Sequence, residues 1–304
     1  MADKVEVVIP VYRPGKEFIQ LIGRLKKQTR IPDMIHVVNT RSDNFPSDFC
    51  EKQGIKVTHI EKKEFDHGGT RDMGIRNSEA DIVIFMTQDA VPCDRYLVEN
   101  LIRPFDRQDV GACYARQLPR SDCHVIERYT RSFNYPEKSR LKGKEDLPVL
   151  GIKTFFCSDV CAAYRRRIYL EVGGFEKKTI FNEDMILAAR LIKQGYKVFY
   201  QAEARVIHSH NYTGLQQFRR NFDMAVSQAD HPEVFGNIAS ENEGIRLVKS
   251  TARYLLKEGK GWMLPELVWQ SGWKYLGYKA GLHYRNLPVW MIRKCTMNPS
   301  YWEK

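Results

Sequence analysis

The sequence predicts an α/β fold, a mostly parallel central sheet flanked by helices, with a helical, basic, tryptophan-rich appendage at its C-terminal end. Three observations carry this. Short apolar runs rich in Val and Ile alternate with segments of helical period through the first two thirds of the chain. From about Gly214 the pattern is mostly helical. From Ile245 to Lys304 there are eleven Lys/Arg against three Asp/Glu, together with all five tryptophans of the protein.

The elements follow in order. "KVEVVIPVY" reads as a buried strand ended between Pro10 and Pro14. In "GKEFIQLIGRLKKQT", Phe18, Leu21, Ile22 and Leu25 fall at i, i+3, i+4 and i+7, which predicts an amphipathic helix. "MIHVV" and "IKVTHI" are strands two and three, and "GGTRDMGIRNSEA" is a helix opened by glycines. "DIVIFM" is strand four, "RYLVENLIRPF" a helix and "VGACYARQ" a further strand. Residues 117–153 read as a polar, basic and irregular excursion, which in a compact domain marks a functional or mobile segment. "CAAYRRRIYLEVGGF" returns to strand and helix, stopping at Gly173-Gly174. "NEDMILAARLIKQG" is a helix with Met185, Leu187, Ala188, Leu191 and Ile192 on one side, closed by Gly195. "YKVFY" and "ARVIHSH" read as two separate strands. The expected division is a sheet domain over 1–235 and a helical segment over 236–304.

Composition bounds the function. The 304 residues are 43% hydrophobic and 28% charged, as in ordinary globular proteins. No run approaches the length of a membrane-spanning helix, and "MADKVEVVIPVY" has no signal-peptide pattern. Seven scattered cysteines without a C-x-x-C read as reduced thiols, so a cytoplasmic protein is expected. Of the net charge of +11, the 245–304 tail supplies most. Basic charge among Trp and Tyr suits an anionic membrane surface at headgroup level. Packing of those aromatics on the main domain, or against a second copy in a homo-oligomer, is the alternative. Single-stranded nucleic acid favours similar surfaces, but no nucleic-acid-binding motif accompanies this one, and no such partner is expected.

Four features fall where the sheet would present its C-terminal strand edges. Pro10, Val11 and Tyr12 follow strand one, where backbone groups could meet a base. In "FDHGGTRDMG", Gly68 and Gly69 let a ligand approach the backbone at a helix N-terminus, and Arg71 adds a bidentate donor for phosphate; a simple turn is the alternative. Asp89 ends strand four, and on spacing alone a turn or capping role is favoured. Glu183 and Asp184 open a helix, where acids are also welcome electrostatically; as functional groups, one would be a general base and the other would fix the loop. His208 and His210 alternate in "VIHSHN", with Asn211 beside them, which makes them metal-ligand or phosphate candidates.

The ordered set "VVIPVY", "FDHGGTR", "TQDA", "QLPR", "FNYP", "GGF…IFNEDM" and "IHSHNY", spanning about residues 4–230, resembles family 2 glycosyltransferases of the GT-A fold. The likeness is greatest to bacterial dTDP-rhamnose-dependent rhamnosyltransferases of cell-wall and surface polysaccharide synthesis. The resemblance implies a Rossmann-like GT-A domain that binds a nucleotide-sugar, with 117–153 shaping the acceptor side. It implies donor contacts from Pro10, Val11, Tyr12, Asp66, Gly68, Gly69, Arg71 and Gln88, and from Asn39, where the family usually has Asp. It implies Asp89 as the last acid of a D-x-D metal motif whose other acid is missing, and His208 as a second ligand of Mg²⁺ or Mn²⁺. Asp184 maps onto the catalytic base, supported by Glu183. Arg116, Arg120, Tyr135 and His210 would face the acceptor. The implied reaction is inverting transfer of L-rhamnose from dTDP-β-L-rhamnose to a polyprenyl-pyrophosphate-linked glycan, giving an α-linkage. The enzyme would be held peripherally on the inner face of the plasma membrane by 245–304.

Three other functions are weighed against this. A UDP-hexose donor would leave the fold and acids unchanged. A nucleotidyltransferase would be expected to carry a glycine-rich phosphate loop after strand one, and "IPVYRPGKE" has only Gly15. A non-catalytic glycan or nucleic-acid binder would use the acids as caps and the basic tail as its contact surface.

Overall fold

The computed structural model describes residues 3–236 and 240–303. They fall into two compact units: Met1–Arg120, Tyr135–Lys178 and Glu183–His208 form the first, and Ser121–Asn134, Thr179–Asn182 and Ser209–Lys304 the second.

The first unit runs β1 (Val5–Val11), α1 (Lys16–Leu25), β2 (Met34–Thr40), α2 (Ser47–Lys52), β3 (Lys56–Ile60), α3 (His67–Arg76), β4 (Ile82–Met86), β5 (Val91–Pro92), α4 (Leu97–Ile102) and β6 (Val110–Leu118). The chain then forms α5 (Val125–Asn134) of the second unit. It returns as β7 (Arg140–Lys142), α6 (Leu147–Leu150), β8 (Cys161–Arg165), α7 (Arg166–Glu171), α8 (Glu183–Lys193) and β9 (Lys197–Ile207). Among the described residues the sheet has nine strands, ordered β3-β2-β1-β4-β8-β6-β9-β5, with β7 on β9. It is parallel through β3-β2-β1-β4 and again between β6 and β9, while β8 lies antiparallel between β4 and β6. All five residues of β4, and all of β1 except Pro10, are buried; the one acid among them, Glu6, accepts from Ser78 Oγ (2.6 Å). The predicted stripe of α1, Phe18, Leu21, Ile22 and Leu25, is fully buried in the same core as Val7, Ile9 and Ile84.

Two local expectations change. The 117–153 excursion is ordered. β6 runs through Leu118, α5 follows with Ile126 buried, and Arg140–Lys142 adds an antiparallel strand to β9. The two strands expected at "YKVFY" and "ARVIHSH" are one, β9, and it stops at Ile207, before both histidines. What looked like a break is a register shift: Ala115 pairs with Gln201 but Arg116 with Arg205, so residues 202–204 bulge out of step with β6.

The second unit is helical: α5, then α9 (Gly214–Asp230), α10 (Pro232–Phe235), α11 (Ser240–Lys257), α12 (Leu264–Leu282) and α13 (Val289–Cys295). Thr213 caps α9 through a reciprocal capping box with Gln216. It starts earlier than the composition-based boundary at 236, because Ile180 and α9 share a core with α13: Ile180, Phe222, Val226 and Ile292 are buried together. The segment 121–134 belongs here too. Asn211 accepts from the His124 N–H (3.0 Å) and donates to the Asp122 carbonyl (2.9 Å), while Ile126 joins Leu255, Met263 and Leu267 in a small core. No helix among the described residues is long and apolar enough to cross a membrane.

Candidate functional site

The ends of β1, β4, β6 and β9, the start of the antiparallel β8 and the first turn of α8 gather polar groups that a sheet core would otherwise exclude. The densest is an acid cluster. Arg71, on α3 and buried, donates from Nη1 to the His67 carbonyl (2.9 Å) and to Glu183 Oε1 (3.0 Å), and its Nε stands 3.5 Å from Asp159 Oδ2. Neither that Nε nor that Oδ2 makes a hydrogen bond among the described residues. The Asp159 N–H donates to Asp184 Oδ2 (3.2 Å), and the Met185 N–H to Asp184 Oδ1 (2.7 Å). Tyr164 Oη donates to Asp159 Oδ1 (2.7 Å).

Glu183 and Asp159 thus share one buried guanidinium, and Asp184 lies near enough to feel its charge. Burial, then Glu183 and Asp159, hold the Asp184 carboxyl well above the usual carboxylate range. Burial pushes Asp159 up to about 7, against the pull of Arg71, with Glu183 pushing the same way. A carboxylate raised toward neutrality is suited to accept a proton from a hydroxyl and release it again. Asp159 was absent from the sequence reading. It lies in "FCSDVC", with no spacing relation to "NED", and only the antiparallel β8 brings it there.

A second group lies at the ends of β4 and β9. Asp89 Oδ2 is 3.5 Å from His208 Nε2, with His208 buried and Asp89 partly exposed. Gln117, near the end of β6, gives its amide N–H groups to Tyr135 Oη (2.6 Å) and Ser158 Oγ (2.9 Å), and its oxygen faces His208 Nδ1 at 3.0 Å. With the amide so oriented, the proton sits on Nδ1 and the Nε2 lone pair is turned toward Asp89. A carboxylate oxygen and an imidazole lone pair at this separation fit adjacent positions around one Mg²⁺ or Mn²⁺, so the donor set suits the expected metal. Gln117 was not among the predicted site residues, although "QLPR" was singled out as a stretch.

Other predicted residues have partners of their own. Gln88 accepts from the Tyr12 N–H (2.9 Å) and donates to the Tyr12 carbonyl (3.0 Å), clamping the end of β1 to the end of β4. Pro10 and Val11 are the last residues of β1, and Tyr12 beyond them is 37% exposed. Asn39 is buried on β2, and its amide nitrogen meets His59 Nδ1 at 3.0 Å. Asp66 caps α3, accepting from Gly69 N–H (2.6 Å) and Lys178 N–H (3.1 Å). The space expected over Gly68 for a ligand is occupied by the chain: a Cβ there would lie 1.9 Å from the Glu176 carbonyl oxygen. Arg71 serves the acids, as above, rather than standing open to phosphate. Tyr135 is buried, its hydroxyl on Gln117 and its ring near Phe156 and Tyr200, so it is a wall residue. Arg116 pairs with Glu137 (3.0 Å) and Arg120 with Glu17 (3.3 Å). His210 falls in the second unit, its ring stacked on Tyr212.

Comparison with known proteins decides the family. The family model described as "Glycosyl transferase family 2" matches residues 6–173. The chain is a family 2 glycosyltransferase. This glycosyltransferase is 40% identical over 304 residues to the O-antigen chain rhamnosyltransferase RfbN of Salmonella typhimurium, covering 98% of this chain and 96% of the relative. It is 38% identical to the O-antigen chain rhamnosyltransferase WbaN of Salmonella anatum, covering 97% and 95%. Among solved structures it resembles the mannosyltransferase PcManGT of Pyrobaculum calidifontis, in complex with GDP-Man and Mn²⁺, with a TM-score of 0.63 at 15% identity over 93% and 88% of the two chains. The structure of S. aureus TarS 1-349 in complex with UDP-GlcNAc matches with a TM-score of 0.54 at 13% identity, over 93% and 92%. These likenesses establish the expected GT-A fold.

Proposed function

We propose that this glycosyltransferase moves L-rhamnose from dTDP-β-L-rhamnose to a hydroxyl of a lipid-linked glycan during O-antigen-type polysaccharide synthesis, with inversion to an α-linkage. The observation that carries the choice of sugar is the 40% identity to an O-antigen chain rhamnosyltransferase along nearly the whole of both chains. In this reading Asp184 takes the proton of the acceptor hydroxyl as the oxygen attacks the anomeric carbon. Glu183 and Asp159 keep the Asp184 carboxyl basic enough for that, Arg71 holds Glu183 and Asp159 in place, and the Asp159 and Met185 N–H groups hold Asp184. A single displacement with one base inverts the anomeric centre. Asp89 and His208 would hold a divalent cation, which when bound neutralises charge on the departing diphosphate. Tyr12, at the clamped end of β1, would meet the base. The 245–304 segment would keep the enzyme at the membrane that carries its acceptor.

The test is a donor panel of dTDP-rhamnose, UDP-glucose, UDP-galactose and UDP-N-acetylglucosamine, with linkage analysis of the product. Transfer from dTDP-rhamnose alone, giving an α-linked product, is expected; a UDP-hexose preference or a retained β-linkage would overturn the proposal. Asp184→Asn should lower transfer by about 10²–10⁴-fold, the usual worth of general-base assistance, while dTDP binding by calorimetry persists.

A further inference from the structure

The helical unit carries a partly open cavity of about 470 Å³ that plays no part in the chemistry above. Its walls come from α5, α9, α11 and α12, all within the second unit, with Ile126, Met224, Val248 and Leu267 in the walls and exposed Ile245 and Tyr275 among the lining. Its size lies in the range of small-molecule sites, roughly 300–1,000 Å³. Two basic side chains, Lys249 and Lys274, break the apolar lining. The Lys274 ammonium makes no hydrogen bond or ion pair among the described residues. Glu127, the nearby acid, is taken by Arg131 at 2.7 Å, and Arg131 and Arg220 add like charge. Burial accordingly lowers the Lys274 pKa. A mostly apolar cavity of this kind suits hydrocarbon, and two ammonium groups in its wall suit an anion.

Neither a neutral hydrocarbon nor a free anion meets both conditions; an anionic amphiphile does. α11 and α12 carry exposed apolar side chains at Leu256, Val268, Trp269 and Leu276, and the turn between them Trp262, in the most basic part of the chain. We propose that this cavity takes up an acyl chain of an anionic membrane phospholipid, with the lipid phosphate against Lys274 and Lys249. The proposal rests on the reading that this unit lies against a membrane, and goes beyond it by naming the site and the part of the lipid held there.

Gly244 provides the test. It lines the cavity on α11, and a Cβ built there meets no heavy atom within 4 Å, so Gly244→Leu adds bulk at the cavity wall from an open position. The full chain is titrated with dioctanoyl-phosphatidylglycerol below its micelle concentration, with neutral dioctanoylglycerol, with glycerol phosphate and with undecaprenyl phosphate. Saturable binding of dioctanoyl-phosphatidylglycerol at one site per chain is expected, weakened by about tenfold or more in Gly244→Leu, a change of about 1.4 kcal/mol. Thermal stability should not fall in that variant, since a side chain is favoured over Gly in a helix, and dTDP binding should be unchanged. Lys274→Met should keep binding of the neutral diacylglycerol but lose the preference for the phosphate-bearing lipid. Loss of both in Lys274→Met, binding unaltered by Gly244→Leu, or binding of undecaprenyl phosphate alone would overturn the proposal. Sedimentation with phosphatidylglycerol vesicles separates the two readings. If both proteins bind vesicles equally, the membrane reading stands and chain capture falls; if neither binds, both fall.

Discussion

His208 and Asp159 illustrate how a single side chain depends on partners far away in sequence. The lone pair of His208 Nε2 points at Asp89 only while Gln117 accepts from Nδ1, and Gln117 can accept only while Tyr135 and Ser158 take its N–H groups. Gln117→Leu removes that orientation without touching either ligand. Mn²⁺ affinity in the presence of dTDP, followed by calorimetry or paramagnetic relaxation, should fall by about 10–100-fold. Thermal stability should fall as well, since Tyr135, Ser158 and His208 each lose a buried partner. Asp159 acts through charge. Its carboxylate is one of the groups that keep Asp184 protonated to higher pH. The rate of transfer should therefore rise with pH through an apparent pKa well above that of an ordinary carboxyl, and Asp159→Asn should move that limb to lower pH while Asp184→Asn abolishes it. A limb unmoved in Asp159→Asn would remove the coupling. The motifs of the sequence single out Asp184 and Asp89, and both stand in the polar clusters described above. Asp159 and Gln117 were not singled out, because their roles come from strands β8 and β6 reaching one edge, which no local spacing encodes.

At the scale of elements, the α9–α12 pair carries a sharp prediction. A Cβ at Gly277 would lie 2.1 Å from the Phe218 carbonyl oxygen, and one at Gly281 2.3 Å from that of Phe222, so the two helices touch backbone to backbone. Gly272, on the same α12, has nothing within 4 Å. Gly272→Ala should raise the melting temperature, since Ala is favoured over Gly in a helix by about 1 kcal/mol. Gly277→Ala gains the same propensity but must push the helices apart at a cost of about 1–3 kcal/mol or more, so its melting temperature should fall. Equal shifts for the two variants would mean the contact is not felt. An element with strong periodicity, such as α1, was readable because one apolar face decides it; α8 is buried nearly all round, from Ile186 through Ala189, and Met185, expected on its apolar side, is only half-buried. The 117–153 stretch was not readable. Its helix α5 is amphipathic, but its arginines mask the stripe, and β7 is a three-residue edge strand that exists only because β9 offers it a partner. β9 was split in two because the bulge opposite Ala115 and Arg116 interrupts the alternation without ending the strand.

At the scale of the molecule, two pairs of acids respond to pH in opposite ways. Asp33 and Asp72 are held below the usual range: burial opposes this, and Arg30 for the first and Arg76 for the second outweigh it. Their stabilisation is present above about pH 4 and lost as acid protonates them. Asp159, at about 7, and Asp223, at about 6, are raised by burial, each from 3.8. Their contribution is full below about pH 4 and is lost as pH rises through 6 and 7. Stability should therefore peak on the acid side of neutral and decline toward pH 7, by about 1.4 kcal/mol per pH unit for each proton involved. Chemical denaturation across pH 4.5–7.5 checks this; a rise toward neutrality would contradict it. The crowding of Asp159, Glu183 and Asp184 around one arginine has a further consequence, outside catalysis. Near pH 6 the unfolded chain carries these carboxyls ionised, while the folded chain keeps at least one of them neutral. Folding is then a reaction with hydrogen ion as a reactant. The measured heat of refolding should shift with the ionisation enthalpy of the buffer, with the sign of proton uptake from it.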